Sequence, residues 1–340
     1  MEFAPRCGAD SAWTIERNRR CSCAYIEDFA IEDEPKMRCR WDAKTRSHSC
    51  AGPNPLIWSI EGLVGLLGIV VPALVVAAVV HRWVERTDWK TISFSLGLAL
   101  VALGPSVYQE VLPVPVDEVA RGYPYRGVLG EPEVGNAVTN DTTRYMLPWM
   151  QLVRESFARF EAPLWNPSSF SGYPLLGNGQ SAPFSPFFVA TLFVSLPYQI
   201  ISMAGLKFFV ALFFGVLLFR KEGLSAGAAM AGATVFGLSV FQSVYLYYPL
   251  TAVTCLLPAL LFFVSMAIDE PKRISGRVGL AIVTASILAG GHPESALHCA
   301  LGASIFLCFK VMTTWKERRN SWRTFAVAVV LPPIIGLLLS

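Results

Sequence analysis

The sequence predicts an all-α protein that crosses a membrane several times, and three observations predict it. The mean hydropathy is +0.46, with 53% hydrophobic and only 16% charged residues. That leaves too little polar surface for a water-soluble domain. Apolar runs approaching the roughly 20 residues needed to span a bilayer core recur from Pro55 onward. Lys and Arg collect in a few short connections between those runs, as the positive-inside rule expects of a polytopic protein. The net charge is only +3, so nothing points to nucleic acid as a partner.

Residues 1–54 form a polar tail, with nine Lys/Arg balanced by nine Asp/Glu. No apolar run begins before Pro55, so no cleavable signal peptide is read. The tail carries Cys7, Cys21, Cys23, Cys39 and Cys50. Two disulfides and a spare thiol suit an external tail. A zinc site is the sharper reading, but the closest pair is Cys21-Ser-Cys23 rather than a C-x-x-C. Cys255, Cys299 and Cys308 lie in apolar segments and are expected as buried small hydrophobes.

Residues 55–340 are the transmembrane domain. The expected spans are 55–80, 91–112, 198–219, 224–246, 250–268, 278–291, 295–312 and 324–340, about eight in all. "FSPFFVATLFVSLP" at 184–197 is too short to cross and is read as a re-entrant or interfacial helix. If it does not cross, the basic connections 81–90, 220–223, 269–277 and 310–323 share one side, which is then cytoplasmic. The tail, the long polar loop 113–183, the turn "YYPL" at 247–250 and the turn "GGHPES" at 290–295 then face outside. The sequence stops at "LPPIIGLLLS", inside an apolar run, so a C-terminal continuation is expected.

The outer loop carries the candidate chemistry. From 142 to 161, Met146, Trp149, Met150, Val153, Phe157 and Phe160 recur at helical spacing, with Gln151, Arg154, Glu155 and Arg159 between them. This predicts an amphipathic helix suited to the membrane surface. Asp141 stands at its head, where an Asp is a favoured N-cap; capping and chemistry are both open to it. "PLWNPSSFSGYPLLGNGQSAPFSP" follows, with no helical or strand period. Its prolines and glycines set an irregular backbone, and Trp165, Phe170 and Tyr173 offer flat faces that stack on sugars or sit at headgroup level. A loop this long and aromatic is expected to be ordered and functional.

Other candidates sit on the same side. Asp117 and Glu118 follow the second span as a carboxylate pair, open to acid–base or metal chemistry or to a solvated loop start. His292, Glu294 and His298 occupy the Gly-Gly-His-Pro turn. They can bind a divalent metal or a phosphate-linked donor, or simply start the next helix. Lys207 lies mid-span and needs a partner or a watery cavity. That partner is a carboxylate, with Glu61 one candidate, or a ligand's phosphate. No P-loop, dinucleotide fingerprint or nucleophile elbow occurs, so nucleotide cofactors are unsupported.

An Asp-headed amphipathic helix followed by "APLWNPSSFSGYPLLGNGQSAPFSP" resembles the first extracytoplasmic loop of C-type (GT-C) glycosyltransferases. More narrowly, it is similar to bacterial YfhO-type membrane proteins, with their Trp-Asn-Pro, Gly-x-Pro and aromatic-Ser-Pro stretches. The resemblance spans about 140–190. It implies a GT-C-like helical bundle in the bacterial cytoplasmic membrane. It also implies transfer of a sugar from a polyprenyl-phosphate donor to an extracytoplasmic acceptor. Carried over, Asp141 is the catalytic base or a metal ligand, with Asp117 the second choice. Trp165, Asn166, Tyr173, Lys207, His292 and Glu294 would contact substrate, and Asp141 with His292 would hold any divalent metal. The Cys-bearing tail, the extra first span and the missing C-terminal half depart from the family pattern. Two other readings keep the same topology: a transporter or flippase of lipid-linked saccharide, and a non-catalytic assembly subunit. No internal repeat or paired broken helices are evident in the sequence, which counts against the transporter.

Overall fold

The structure is a computed structural model and describes residues 38–42, 47–51, 60–104, 106, 140–318 and 322–340. The chain divides into two units, 1–57 with 117–135 and 58–116 with 136–340. In the first, β1 (Arg38–Asp42) and β2 (Ser47–Ala51) form an antiparallel hairpin whose register sets Cys39 opposite Cys50. The other tail cysteines, Asp117 and Glu118 lie outside the described residues.

The second unit is a helical membrane bundle. Its helices are α1 (Ile60–Val79), α2 (Trp89–Ala102), α3 (Leu147–Ala158), α4 (Pro186–Ala190), α5 (Leu196–Lys221) and α6 (Ala226–Gly237). They continue as α7 (Val240–Val244), α8 (Pro249–Thr254), α9 (Leu257–Asp269), α10 (Ile274–Leu288), α11 (Pro293–Arg318) and α12 (Trp322–Leu339). Four stretches among the described residues are long and apolar enough to cross a membrane: Ile60–Val84, Leu196–Lys221, Pro249–Asp269 and Pro293–Thr314. Four of the expected spans appear as the shorter apolar helices α2, α6, α10 and α12.

Helix α5 is the hub. It is apolar all round, which suits a helix enclosed by others, and it packs against α1, α2, α6 and α9. Its 26 residues reach about 39 Å, enough to traverse the bilayer core. Phe209, Phe213, Phe214, Phe262 and Phe263 interlock in the core between α5 and α9. Gly205 lets α1 approach: a Cβ there would stand 2.7 Å from Ile69 Cδ1. Small residues bring helix backbones together in membranes in this way. By contrast, α11 turns Leu297, Leu301, Ile305 and Phe309 outward. Cys308, expected inside, is exposed on the same helix; in an apolar solvent a small thiol gains little from burial.

Two expected spans are broken. The run 224–246 is α6, a break, then α7, with the Ser239 hydroxyl accepting from Gln242 N at 3.4 Å. The run 250–268 is α8 followed by α9, where Pro258 near the start of α9 lacks a backbone N–H. The bundle therefore contains interrupted helices that were not evident in the sequence. The segment 184–197 does not cross: α4 is five residues long and ends in turns before α5.

The four basic connections meet at one end of the bundle. Lys310 pairs with Glu222 at 3.1 Å and Asp269 at 3.4 Å. Lys221 reaches Glu270 at 3.3 Å, and Arg273 reaches it at 2.7 Å. Arg273 also donates to the carbonyl of Val84. The loop before α5 and the 247–250 turn gather at the opposite end, joined by the 290–291 turn. That grouping is the one the Lys/Arg distribution predicts. Burial alone would raise the Glu270 carboxyl, but the hydrogen bonds from Arg273 and Lys221 outweigh it and hold the pKa below the ordinary Glu value. A depressed carboxylate contributes stability above its unfolded pKa and loses it as pH falls through the folded one. Glu270→Gln should therefore lower the thermal midpoint in detergent at pH 7, and the gap to wild type should close below about pH 4.

Candidate functional site

The site begins with the helix that opens the loop. A π-turn, Thr142–Met146, leads into α3, with Pro148 in the first turn of α3. Asp141 heads the π-turn but does not cap it. Its backbone is already helical, at φ −59° and ψ −27°, whereas a capping residue is typically extended. Its side chain makes no capping hydrogen bond and is exposed. The carbonyl of Asn140 takes the Thr143 and Arg144 amides instead, each at 3.1 Å.

The apolar face of α3 does not lie on lipid, contrary to expectation. Val153 is buried with Leu175 and Phe188, and Trp149, Met150 and Phe157 pack around them with Leu192 and Met203. Arg154 fastens the helix to α5, donating to Gln199 Oε1 at 2.6 Å and to the Leu192 carbonyl at 3.3 Å. The fully buried Gln199 in turn donates to the Phe188 carbonyl at 3.2 Å. A nearby protein surface competes with lipid for such a face, and here the guanidinium bonds decide the outcome.

After α3 the loop makes a short antiparallel pair, β3 (Trp165–Asn166) with β4 (Tyr173–Pro174), then a 3₁₀ turn at Leu176–Asn178. Asn166 is buried and its Oδ1 accepts from Ser168 N at 2.8 Å, a turn-forming role. The Tyr173 hydroxyl accepts from Trp149 Nε1. Trp165 is 55% exposed, and its indole covers Gly172.

From 179 to 186 the loop reaches the Gly-Gly turn. Gly291 has φ +83°, and a Cβ there would stand 2.6 Å from Ala182 Cβ and 2.7 Å from the Gly179 carbonyl. Only glycine allows that contact. His292 Nδ1 accepts from Ser295 N at 3.1 Å and lies 2.8 Å from Ser295 Oγ, so this histidine caps α11. Glu294 and His298 are exposed on the first turns of α11. No group of three His, Cys, Asp or Glu able to hold a metal occurs among the described residues. The ligand set expected around Asp141 and His292 is therefore not assembled there, and no chemistry is derived through a metal.

The convergence happens one layer deeper. A small cleft of about 40 Å³ is lined by Met146, Met150, Gln180, Ser185, Met203, Lys207, Tyr248 and Gly290, among others. A second lobe shares Met146, Met150, Met203, Lys207 and Tyr247 and adds Thr142. The cleft thus touches the loop, the 247–250 turn, the 290–291 turn and the middle of α5. Lys207 is 3% exposed, and its ammonium donates to the carbonyls of Leu246 (2.8 Å) and Tyr248 (3.0 Å) and to Thr251 Oγ1 (3.2 Å). Among the described residues no carboxylate pairs with it. The candidate partner Glu61 is exposed instead at the head of α1, 3.4 Å from Ser195 Oγ.

Two buried hydroxyls of the cleft, Ser185 Oγ and Thr142 Oγ1, have no hydrogen-bond partner among the described residues. The Tyr248 phenol lies close to Thr142 and to the backbone and carboxylate of Asp141, all of which act on it. Burial raises the pKa of Tyr248, and the Asp141 carboxylate adds to the rise. Burial likewise raises Tyr247, against a hydrogen bond to Ser106.

Of the residues singled out in the sequence, Lys207 lines the cleft and Asp141 adjoins it through Thr142 and Tyr248. Trp165, Asn166, Tyr173, His292 and Glu294 are not among its lining residues. Tyr247, Tyr248 and Ser185 were missed, although the "YYPL" turn and the Phe-Ser-Pro stretch were their visible signals. Because His292 acts as a cap, His292→Ala should cost about 1 kcal/mol of stability and His292→Asn much less, read from unfolding midpoints in detergent. The chain matches no protein-family model, and no curated protein or solved structure is significantly similar to it.

Proposed function

We propose that the protein is a membrane glycosyltransferase that moves a sugar from a polyprenyl-phosphate donor to a hydroxyl of an extracytoplasmic acceptor, in a cell-envelope glycan, lipid or protein. The observation that carries the proposal is a buried ammonium with no carboxylate partner among the described residues, set in a cleft beside an exposed Asp. Intramembrane ionisable groups are costly and are kept for function. The likeness of the 140–190 loop to GT-C proteins supports the same reading.

Asp141 would take the proton of the acceptor hydroxyl as its oxygen bonds to the sugar's anomeric carbon. The bond from that carbon to the phosphate oxygen breaks, and the electron pair leaves with the polyprenyl phosphate. The field of Lys207 favours the negative charge that grows there, and the Ser185 and Thr142 hydroxyls, without a partner among the described residues, are available as donors. Met146, Met150 and Met203 form a pliable wall that can widen to admit a lipid-linked group.

A second reading is favoured by one observation. The crossings at 226–269 are interrupted beside Lys207, as helices often are at the binding sites of transporters. A flippase of lipid-linked saccharide would use the same cleft without breaking a bond. Proteoliposomes supplied with a polyprenyl-phosphate sugar separate the two. A transferase forms glycosylated acceptor, and Asp141→Asn lowers that rate by ~10²–10⁴-fold while the protein stays folded. Donor movement without product, unaffected by Asp141→Asn, would overturn the proposal.

A further inference from the structure

The backbone around Lys207 has a property independent of sugar transfer. Between α7 and α8 the chain is not helical, and its carbonyls turn inward. Thr251 Oγ1 lies 2.8 Å from the Tyr245 carbonyl and 3.0 Å from those of Leu246 and Tyr248. Lys207 Nζ sits on this set, with Leu246 O, Tyr248 O and Thr251 Oγ1 as its acceptors. Every ammonium proton is thereby committed to a neutral oxygen of one turn. Backbone carbonyls of a non-helical segment, joined by a hydroxyl, are the oxygen set that membrane proteins offer to bare monovalent cations. The set arises from a different helix from the lysine, more than 35 residues away, so it is built by the turn and only filled by Lys207.

We propose that Lys207 is a tethered monovalent cation: its ammonium occupies a carbonyl-and-hydroxyl cage that, without it, binds a free sodium or potassium ion. The tether makes the Tyr245–Tyr248 turn permanently occupied and its geometry independent of the ions around the protein. This does not rest on the transferase reading, because the property tested is stability rather than turnover.

The full chain in detergent is compared with Lys207→Ala and with the double variant Lys207→Ala/Thr251→Val. Thermal midpoints are recorded in sodium, potassium and choline chloride at equal ionic strength. Wild type should unfold at the same temperature in all three salts. Lys207→Ala should be least stable in choline. It should regain stability saturably in sodium or potassium, by roughly 4 °C at a hundred times the dissociation constant. The double variant should lose that gain. A wild type that responds to sodium or potassium over choline overturns the proposal, since its cage would then be empty. A Lys207→Ala protein indifferent to the cation overturns it too. So does one that cannot be recovered folded in any of the salts, because a free ion should have replaced the ammonium.

Discussion

The seat of the Lys207 ammonium on the turn between α7 and α8 is the constraint on which the rest of the bundle depends. Removing a charge from water costs several kcal/mol even after relaxation. Hydrogen bonds to charged groups return about 1.5–3 kcal/mol each, so three of them offset the cost only when all are kept. The turn is equally dependent on the lysine. Its carbonyls are released from helical bonding by the break, and a buried carbonyl without a donor is itself unfavourable. Each side satisfies the other, and the geometry of both is fixed together. Tyr247 and Tyr248 are held against α5 as a result, which closes the wall of the cleft and sets the Tyr248 ring beside Asp141.

The two ends of the bundle are secured by different physics. At the basic end, Lys221, Arg273 and Lys310 share Glu222, Asp269 and Glu270, tying the ends of α5, α9, α10 and α11 together. Single exposed pairs are worth little, but a network whose lysine side chains are only 12% exposed restricts these helix ends collectively. At the opposite end few charges are used. The loop is held by backbone proximity at Gly291, by the Arg154–Gln199 bond and by burial of Val153, Leu175 and Phe188. Among the described residues, the site therefore rests mainly on close packing.

The aromatic residues of the loop divide into two sets with different tasks. Trp149, Tyr173, Phe157 and Phe188 build the platform under α3. Phe160 and Phe170 project, at 99% and 92% exposure, from positions with positive φ. The loop, expected to be ordered and functional, thus combines a packed support with exposed aromatic faces. Lys207, Ser185 and Thr142 line the cleft beneath it, where water is scarce and each polar group is worth more.

The sequence alone determined the class of the protein, an all-α chain with several apolar helices long enough to span a membrane. Hydropathy and the period of apolar residues are summed over many positions, so α1, α5 and α11 emerge near their expected limits, and so does the amphipathic α3. The grouping of the basic connections at one end follows for the same reason. Tertiary structure decided everything that depends on a single contact. Residues 224–246 read as one apolar run, but the helix stops at Gly237 and restarts at Val240 behind the Ser239 cap. Asp141 looked like a cap until the helix began one residue earlier. The apolar face of α3 suited lipid and protein equally, and Arg154 with Gln199 settled which it met. Local pattern reports how much of a segment is buried, whereas the identity of its neighbour is set by segments distant in the chain, and no local pattern encodes that.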